Sequence, residues 1–432
     1  MKDLKELSVK IDSLLESKGI TKNAYSISER ETQEFNMEDG AFNLLRTLFD
    51  NSLAVVSFVG EKQGIATGND FTDEGLEATV EASVEAANSA EPDACKDIAP
   101  FEKNEVFNIG CLKPDKEKFF ERLMELQKDL KEKYPKIKLM MAIAQYSSSH
   151  QLYKNTNGTV FETNTGKYAV LLEFAGNDGD KTTSFNGAEI IVTELDKPFI
   201  EYDSLRVKLD ESVAALNETS FEGKFEGQVI LTPDALVQFI SFIIMNYLSD
   251  NVILEGTSRW LDKLNEKVAD ERITIVNDPF SKDIIADGMY TADGFKAETT
   301  PIIEKGVLKN FLLSLYAANK TGRKPAKMPG SNFIVTNGDT PYADMIKSMK
   351  KGLIVGGFSG GMPSANGEFS GVAKNSFLVE NGEIKGAVTE TMINGNLGEM
   401  FNHLVSISKE TINSGQMILP YYCVDGIVIS GK

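Results

Sequence analysis

The side chains best suited to metal or nucleophilic chemistry are few in this chain of 432 residues. Only two histidines are present, His150 and His403. They lie far apart in the sequence, and neither belongs to an H-E-x-x-H or H-x-x-E-H pattern. A zinc site built from neighbouring histidines is therefore not expected. Each histidine is most simply a surface, packed or capping residue.

The three cysteines, Cys95, Cys111 and Cys423, form no C-x-x-C pair and have no histidine or basic cluster close by in the sequence. A catalytic thiol needs such a partner, so none is indicated. Cys423 lies in the apolar run PYYCVDGIVISG, which predicts a buried structural cysteine. An odd number of widely spaced cysteines fits a reducing compartment, and the cytoplasm is the expected location.

Glycines cluster between positions 352 and 367. The cluster has no trailing Lys-Ser/Thr of a Walker loop and no strand-G-x-G-x-x-G-helix context, so a phosphate cradle is not predicted. Two readings stay open: tight β-turns, or a backbone close to a ligand. Carboxylates are too abundant for any pair to indicate general acid–base chemistry.

Composition excludes several classes of protein. The formal net charge is −19, which repels phosphate backbones, so direct binding to nucleic acid is not expected. The longest apolar stretch, 236–248, is shorter than the roughly 20 residues of a membrane span and predicts a buried helix. The first 20 residues predict an amphipathic helix and contain no export signal.

The elements predicted for the first half alternate between helices and strands. Residues 24–38 alternate polar and apolar side chains, and 53–60 with 63–67 predicts a hairpin. Thr72 or Asp73 is expected to cap a helix that ends near residue 88, and a linker follows over 89–101. Further predictions are a helix from Pro114 to Tyr134 and strands over 138–146, 152–155, 160–165 and 168–175, with turns at Asn157-Gly158 and Thr165-Gly166.

The second half combines one apolar helix, 233–247, with many short strands and glycine-rich turns. A helix capped by Asp339 or Thr340 is also expected. The fold class predicted is α+β, with an N-terminal mixed α/β domain over 1–220 and a mainly antiparallel β domain over 221–432. The N-terminal domain is expected to consist of two subunits, about 1–100 and 101–220.

Five segments of the second half, in this order, give the chain a family resemblance: EGTSRWLDKL (255–264), ITIVNDP (273–279), 287–322 beginning DGMYTADGF, 360–397 containing NGEFSGVAKNSFLVENGEIKG, and VDGIVISG (424–431). They resemble the TldD/PmbA family, the "modulator of DNA gyrase" proteins, and within it the PmbA branch, also called TldE. The resemblance is weak before about residue 220 and covers essentially the whole chain.

The resemblance implies a cytoplasmic protein in which TldD-type and TldE-type chains form a heterodimeric zinc peptidase acting on small or unfolded peptides. In the TldD branch an H-E-x-x-x-H helix and a cysteine near the C-terminus hold zinc. Here the corresponding helix reads VQFISFIIMNYL (237–248), without histidine or glutamate, and Cys423 lies within the terminal strand. No metal is therefore expected in this chain, and zinc is expected in a TldD-type partner.

The leading hypothesis is thus a subunit without the metal site, which completes the substrate chamber of a TldD-type peptidase. Candidate contacts to a peptide or partner are Gly357, Gly360, Gly361, Asn366 and Phe369. The alternative is a self-sufficient metallopeptidase with a non-standard metal site that includes His403 and Cys423. A third possibility is an accessory homodimer without a peptidase partner.

Overall fold

The computed structural model describes residues 3–431. Its first half is built on one sheet in the order β3-β2-β1-β5-β6-β4, with β7 also paired to β6. The helices of this half are α1 (Leu4–Ser17), α2 (Asp73–Ser89), α3 (Lys116–Lys133) and α4 (Asp203–Ala214). Its strands are β1 (Lys22–Glu38), β2 (Ala41–Val59), β3 (Lys62–Gly68), β4 (Glu105–Gly110), β5 (Ile137–Asn155), β6 (Val160–Gly176) and β7 (Asn186–Val192).

One face of this sheet carries all four helices, because apolar side chains on that face form two cores. Leu53 and Ile27, which are directly opposite each other, pack with α1 and α2. Tyr146 and Tyr168 pack with α3 and α4. The strands from both predicted N-terminal subunits therefore share a single sheet.

Helix starts follow the capping predictions in part. The Thr72 hydroxyl accepts a hydrogen bond from the Gly75 N–H at 3.1 Å, as expected for the N-cap of α2. Asp115 caps α3 by accepting from the Lys118 N–H at 2.9 Å. The helix predicted to be capped by Asp339 or Thr340 instead begins after Pro341. The Glu410 side chain accepts from the Tyr342 N–H at 2.8 Å.

The predicted turn at Thr165-Gly166 is wrong, because β6 runs unbroken through it. Glycine is required at position 166 for a steric reason. A Cβ there would lie 1.9 Å from the Cys111 carbonyl oxygen, which approaches the strand from the end of β4. The predicted turn at Asn157-Gly158 is correct, since it connects β5 to β6.

The second half forms a 14-stranded sheet in which β21 has four neighbours: β13, β9, β19 and β20. Its helices are α5 (Pro233–Ile243), α6 (Asp250–Leu254), α7 (Leu315–Thr321), α8 (Tyr342–Ser348) and α9 (Leu397–Met400). Its strands are β8 (Glu218–Thr219), β9 (Lys224–Leu231), β10 (Ile275–Asn277), β11 (Thr300–Glu304), β12 (Val307–Leu308), β13 (Phe333–Val335), β14 (Lys351–Val355), β15 (Gly357–Gly360), β16 (Glu368–Lys374), β17 (Ser376–Glu380), β18 (Glu383–Val388), β19 (Met392–Asn396), β20 (Leu404–Asn413) and β21 (Ile418–Ser430).

The two halves pack together through the face of the first sheet that carries no helix. Tyr153 and Phe161 on that face stack with Tyr290 of the second half, at ring centroid distances of 5.4 and 5.1 Å. The Tyr153 hydroxyl also donates to the Asp293 carbonyl at 3.1 Å. The predicted α+β class is confirmed. Within residues 3–431 no helix is both long and apolar enough to span a membrane.

Candidate functional site

Helix α5 is the element on which the expected metal motif would lie. Thr232 is its N-cap, Pro233 occupies the first turn, and a π-helical turn, Ile244–Leu248, follows its last residue. The side chains of Leu236, Phe239, Ile240 and Ile243 are buried in the large core of the second half. The helix therefore lies over this core and leaves one narrow side outward.

The outward side of α5 presents Gln238, Ser241 and Phe242, and the π-helical turn continues this side with Met245. The Gln238 side-chain oxygen accepts from the Phe358 N–H at 2.9 Å, which holds β15 next to the helix. The Ser241 hydroxyl donates to the Val237 carbonyl one turn back, at 2.9 Å. The polar groups on this side thus serve local structure, and the Met245 thioether is its one soft donor.

Strand β15 holds two of the predicted contact glycines, and Gly361 follows directly. A Cβ added at Gly360 would lie 2.7 Å from the Phe358 ring and from the Ser370 carbonyl oxygen, so packing within the β15–β16 pair requires glycine there. A Cβ at Gly357 would have its nearest neighbour at 3.8 Å, and at Gly361 it would meet nothing within 4 Å. No packing contact explains glycine at these two positions.

Asn366 and Phe369 have different surroundings. Asn366 lies in an exposed turn before β16, where its carbonyl accepts from Arg259 at 2.5 Å and from Asn396 at 3.0 Å. Phe369 is 4% exposed, and its ring packs against Phe239 at 5.1 Å. Any contact between Phe369 and a peptide would therefore have to be made by its backbone.

His403 and Cys423, the residues of the alternative metal site, are in different environments. His403 is exposed and lies against Gly426. Cys423 is 2% exposed in an apolar cluster, and burial raises the pKa of its thiol to about 12. A thiol in this state is a poor metal ligand, because the ligand form is the thiolate. Residues 3–431 contain no group of three or more His, Cys, Asp or Glu side chains that could hold a metal ion.

An interdomain cleft, which the sequence did not predict, lies between the two halves. One part, about 810 Å³, separates β4 from the segments 279–286 and 411–415. A second part, about 460 Å³, lies between the helix-free face of the first sheet and the segment 285–292. The two parts share the lining residues Ile109, Ile285, Ala286 and Met289, so they are adjacent.

The outer half of β2 is an exposed apolar edge. Strand β3 pairs with β2 only from Leu53 onward, which leaves residues 41–52 paired with β1 alone. Leu45 and Phe49 in this segment are 70% and 73% exposed. The ring of Phe42 continues the apolar surface onto α3, where it contacts Phe120 at 5.4 Å. We call residues 41–52 of β2 together with Phe120 the β2 edge.

Comparison with protein families gives two matches. Residues 223–431 match the model described as the PmbA/TldA metallopeptidase C-terminal domain, and residues 26–87 match PmbA/TldA metallopeptidase domain 1. Together the matches cover more than half of the chain. This chain belongs to the PmbA/TldD family.

Relatives of the family from bacteria and archaea are similar over much of the chain. The metalloprotease PmbA of Escherichia coli O157:H7 is 22% identical over 404 residues, which cover 87% of this chain and 86% of that protein. A metalloprotease of Methanothermobacter thermautotrophicus is 25% identical over 281 residues, or 61% of this chain. That alignment spans 60% of the archaeal protein's length.

Solved structures of the family have the same fold. The crystal structure of TldE from Thermococcus kodakarensis superposes with a TM-score of 0.84 at 20% identity, covering 98% of this chain and 100% of that chain. A protein from Bacteroides thetaiotaomicron, described as a candidate modulator of DNA gyrase, also gives 0.84 at 20% identity and covers 99% of each chain.

The metal implied by the name of the PmbA/TldD metallopeptidases does not fit the side chains on the outward side of α5 and its π-helical turn. Zinc requires imidazole, thiolate or carboxylate donors. Over 237–248 the outward side offers an amide, a hydroxyl, an aromatic ring and a thioether. The amide and the hydroxyl are already used in local hydrogen bonds. The one exposed carboxylate of α5, Asp234, lies in its first turn and is ion-paired with Lys208 at 2.6 Å. No step of catalysis is therefore assigned to a metal held by α5.

Proposed function

We propose that this chain is the subunit without a metal site in a PmbA/TldD-family peptidase, and that it works together with a TldD-type chain that holds zinc. The observation that carries the proposal is the outward side of α5, where Gln238, Ser241, Phe242 and Met245 stand in place of ligands. The substrates proposed are small or unfolded peptides, which the complex matures or degrades.

The β15 segment supports a role in peptide contact. Gly357 and Gly361 have no packing reason to be glycine, so an extended chain is able to approach the backbone there. Strand β15 pairs with β16 along one edge only, and an edge strand is a usual place for an extended peptide to add. On the other edge Gln238 accepts from the Phe358 N–H, so a peptide that adds there would replace this bond. Gly357, Gly360, Gly361 and Asn366 therefore remain the proposed peptide contacts, with Phe369 as support beneath them.

The β2 edge supports association with a partner chain. Its exposed apolar side chains and its open backbone edge are costly to leave in water, and a second polypeptide would cover both. We propose that a TldD-type chain covers this edge. A self-sufficient metallopeptidase is not favoured by any observation, since His403 is exposed and Cys423 is buried.

The association is tested by mixing this chain with the TldD-type protein of the same genome and measuring the mass of the complex by light scattering. We expect a heterodimer with the unaltered chain. The double variant Leu45→Lys/Phe49→Lys should lose it, because two charges would then be buried at the interface. Ile384→Lys, a change at another residue that is 49% exposed, is the matched control and should keep the complex.

Two results would contradict the proposed association. The first is the absence of any complex with the unaltered chain. The second is a complex that the double variant forms as well as the control does, which would remove the β2 edge from the interface. Circular dichroism of each variant checks that the fold is kept, as expected for side chains that are this exposed.

A further inference from the structure

The part of the interdomain cleft with a volume of about 460 Å³ has a floor of polar side chains from three strands of the first sheet. On this face Arg30 of β1 is directly opposite Ser149 of β5, and Ser149 is directly opposite Thr165 of β6. Lys167 is the next residue of β6 on the same face. Two cations from separate strands thus line one cavity.

The two cations are not held in ion pairs. Neither Arg30 nor Lys167 forms an ion pair within residues 3–431. Asp50 is opposite Arg30 on β2, but it makes no ion pair with it. In a chain with 64 acidic and 45 basic residues, carboxylates are plentiful, so two unpaired cations at one cavity call for an explanation.

Asp287, the acidic residue on the opposite wall, forms no ion pair with either cation. The Asp287 carboxylate accepts from the Ser331 N–H at 2.9 Å and from the side-chain amide of Gln416. These bonds hold the carboxylate to its own segment of the second half. Both donors are neutral, so Asp287 keeps its charge, and the positive charge of the lining comes from Arg30 and Lys167.

Hydroxyl and amide groups lie between and beside the cations. The Ser149 and Thr165 hydroxyls are hydrogen-bonded to each other at 2.7 Å. Thr163, one row further along β6, is 4% exposed, and its hydroxyl is buried without a hydrogen-bond partner in the described chain. A buried hydroxyl without a partner is unfavourable, so the Thr163 hydroxyl is a further polar group of this floor whose hydrogen-bonding capacity the described chain leaves unused.

We propose that this cavity binds the oxyanion end of a small ligand, a carboxylate or a phosphate, between Arg30 and Lys167. Hydrogen bonds between these cations and an oxyanion are about twice as strong as neutral ones. The volume lies within the range of small-molecule sites, roughly 300–1,000 Å³, and leaves room for a polar body beside the charged end. The inference concerns this chain alone and does not depend on a peptidase partner.

Calorimetric titration of the full chain at low ionic strength tests the proposal with three probes: the tripeptide Ala-Ala-Ala with a free carboxylate, its C-terminal amide, and inorganic phosphate. We expect at least one of the two anions to bind; if the free tripeptide binds, its amide should bind at least about tenfold more weakly. Binding of the tripeptide assigns the oxyanion to a peptide terminus, and binding of phosphate alone assigns it to a phosphate group.

Charge-removing variants locate the binding. Arg30→Gln and Lys167→Gln should each weaken binding of the anion about tenfold or more, and added salt should weaken the binding further. Lys350→Gln, at an exposed lysine of the second half, is the matched control and should bind as the unaltered chain does. Binding of neither anion, or binding that Arg30→Gln and Lys167→Gln both leave unchanged, would overturn the proposal.

Discussion

Glu211 on α4 illustrates how the contact between the two halves changes a single residue. Burial raises the pKa of its carboxyl to about 7, and the Asp234 carboxylate adds to this, while Lys208 opposes it. Asp234 belongs to the first turn of α5, so the effect crosses from one half of the chain to the other. The folded protein therefore keeps this carboxyl largely neutral up to about pH 7.

The raised pKa makes stability fall as pH rises. Since the folded state holds this proton more tightly than the unfolded state, the free energy of unfolding decreases between about pH 4.5 and pH 7 and then levels off. Glu211→Gln should therefore be more stable than the unaltered chain at pH 8, by about 1–3 kcal/mol, and equal to it near pH 4.5. Urea unfolding at both pH values measures the difference.

Glu222→Gln removes one charge at an exposed glutamate and serves as the control for this experiment. Its stability difference from the unaltered chain should stay within about 0.5 kcal/mol at both pH values. A gain for Glu211→Gln that is the same at pH 4.5 and pH 8 would contradict the titration account, because it would have to come from packing instead.

Gly166 provides a steric test at the residue scale. A Cβ at this position would lie 1.9 Å from the Cys111 carbonyl oxygen and 2.7 Å from the Tyr146 hydroxyl, so the strands would have to separate. Gly166→Ala should destabilise the fold by about 1–3 kcal/mol. Gly361→Ala, where a Cβ meets nothing within 4 Å, should change stability by less than about 0.5 kcal/mol. Equal effects of the two changes would refute the close approach of residue 111 to β6.

Single residues were predictable where the signal is local. The N-cap at Thr72 follows from the acidic first turn and apolar face after it, all within a few positions. Gly166 and Glu410 were not predictable in this way. The group that crowds Gly166 comes from residue 111, and the residue that caps α8 comes from β20. A local pattern does not contain either neighbour.

At the scale of elements, α5 was predicted to be a buried helix, and its sequence contains no metal motif. Phe239 is fully buried and contacts the rings of Phe358 and Phe369 at 5.6 and 5.1 Å. Phe239→Ala should cost about 3–5 kcal/mol, because it leaves a cavity beneath β15 and β16. Met245→Ala, on the outward side at 44% exposure, should cost less than about 1 kcal/mol.

Thermal and urea unfolding of these two variants distinguish core from surface on α5. A large loss for Met245→Ala with little loss for Phe239→Ala would mean that the helix presents the opposite side outward. The assignment of residues to the outward side, on which the proposed function depends, would then be wrong.

Elements were predictable where hydrophobic period and turn residues agree, as in α2, α3 and the β5–β6 connection. The sequence predicts four strands over 138–175 where two long ones exist, since small and polar residues along β5 and β6 resemble turn signals. Pairing on both sides keeps these strands extended. Such pairing is tertiary and outweighs the local tendency of a glycine to turn.

At the scale of the whole molecule, the interdomain cleft arises from strand registers that no local pattern contains. Alternating polar residues on β1, namely Ser26, Ser28 and Arg30, do indicate one polar face. The placement of Arg30 beside residues of β6 requires the long β1–β5 and β5–β6 pairings. The family, in contrast, was predictable from segments of the second half, and the family match over residues 223–431 confirms it.

The roles proposed for the two chains of the complex also concern the whole molecule. This chain contributes a fold, an open apolar edge and a glycine-containing strand, while the metal is expected in the partner. Neither the assembly nor the substrate follows from the fold alone, since one fold supports several functions.

The most direct test of this account is the zinc content of the purified full-length chain together with peptide hydrolysis, measured alone and after mixing with the TldD-type protein of the same genome. The account predicts no stoichiometric zinc and no cleavage by the chain alone, and cleavage in the mixture that differs from that of the partner by itself. Stoichiometric zinc with cleavage by the isolated chain, lost in His403→Ala, would contradict it.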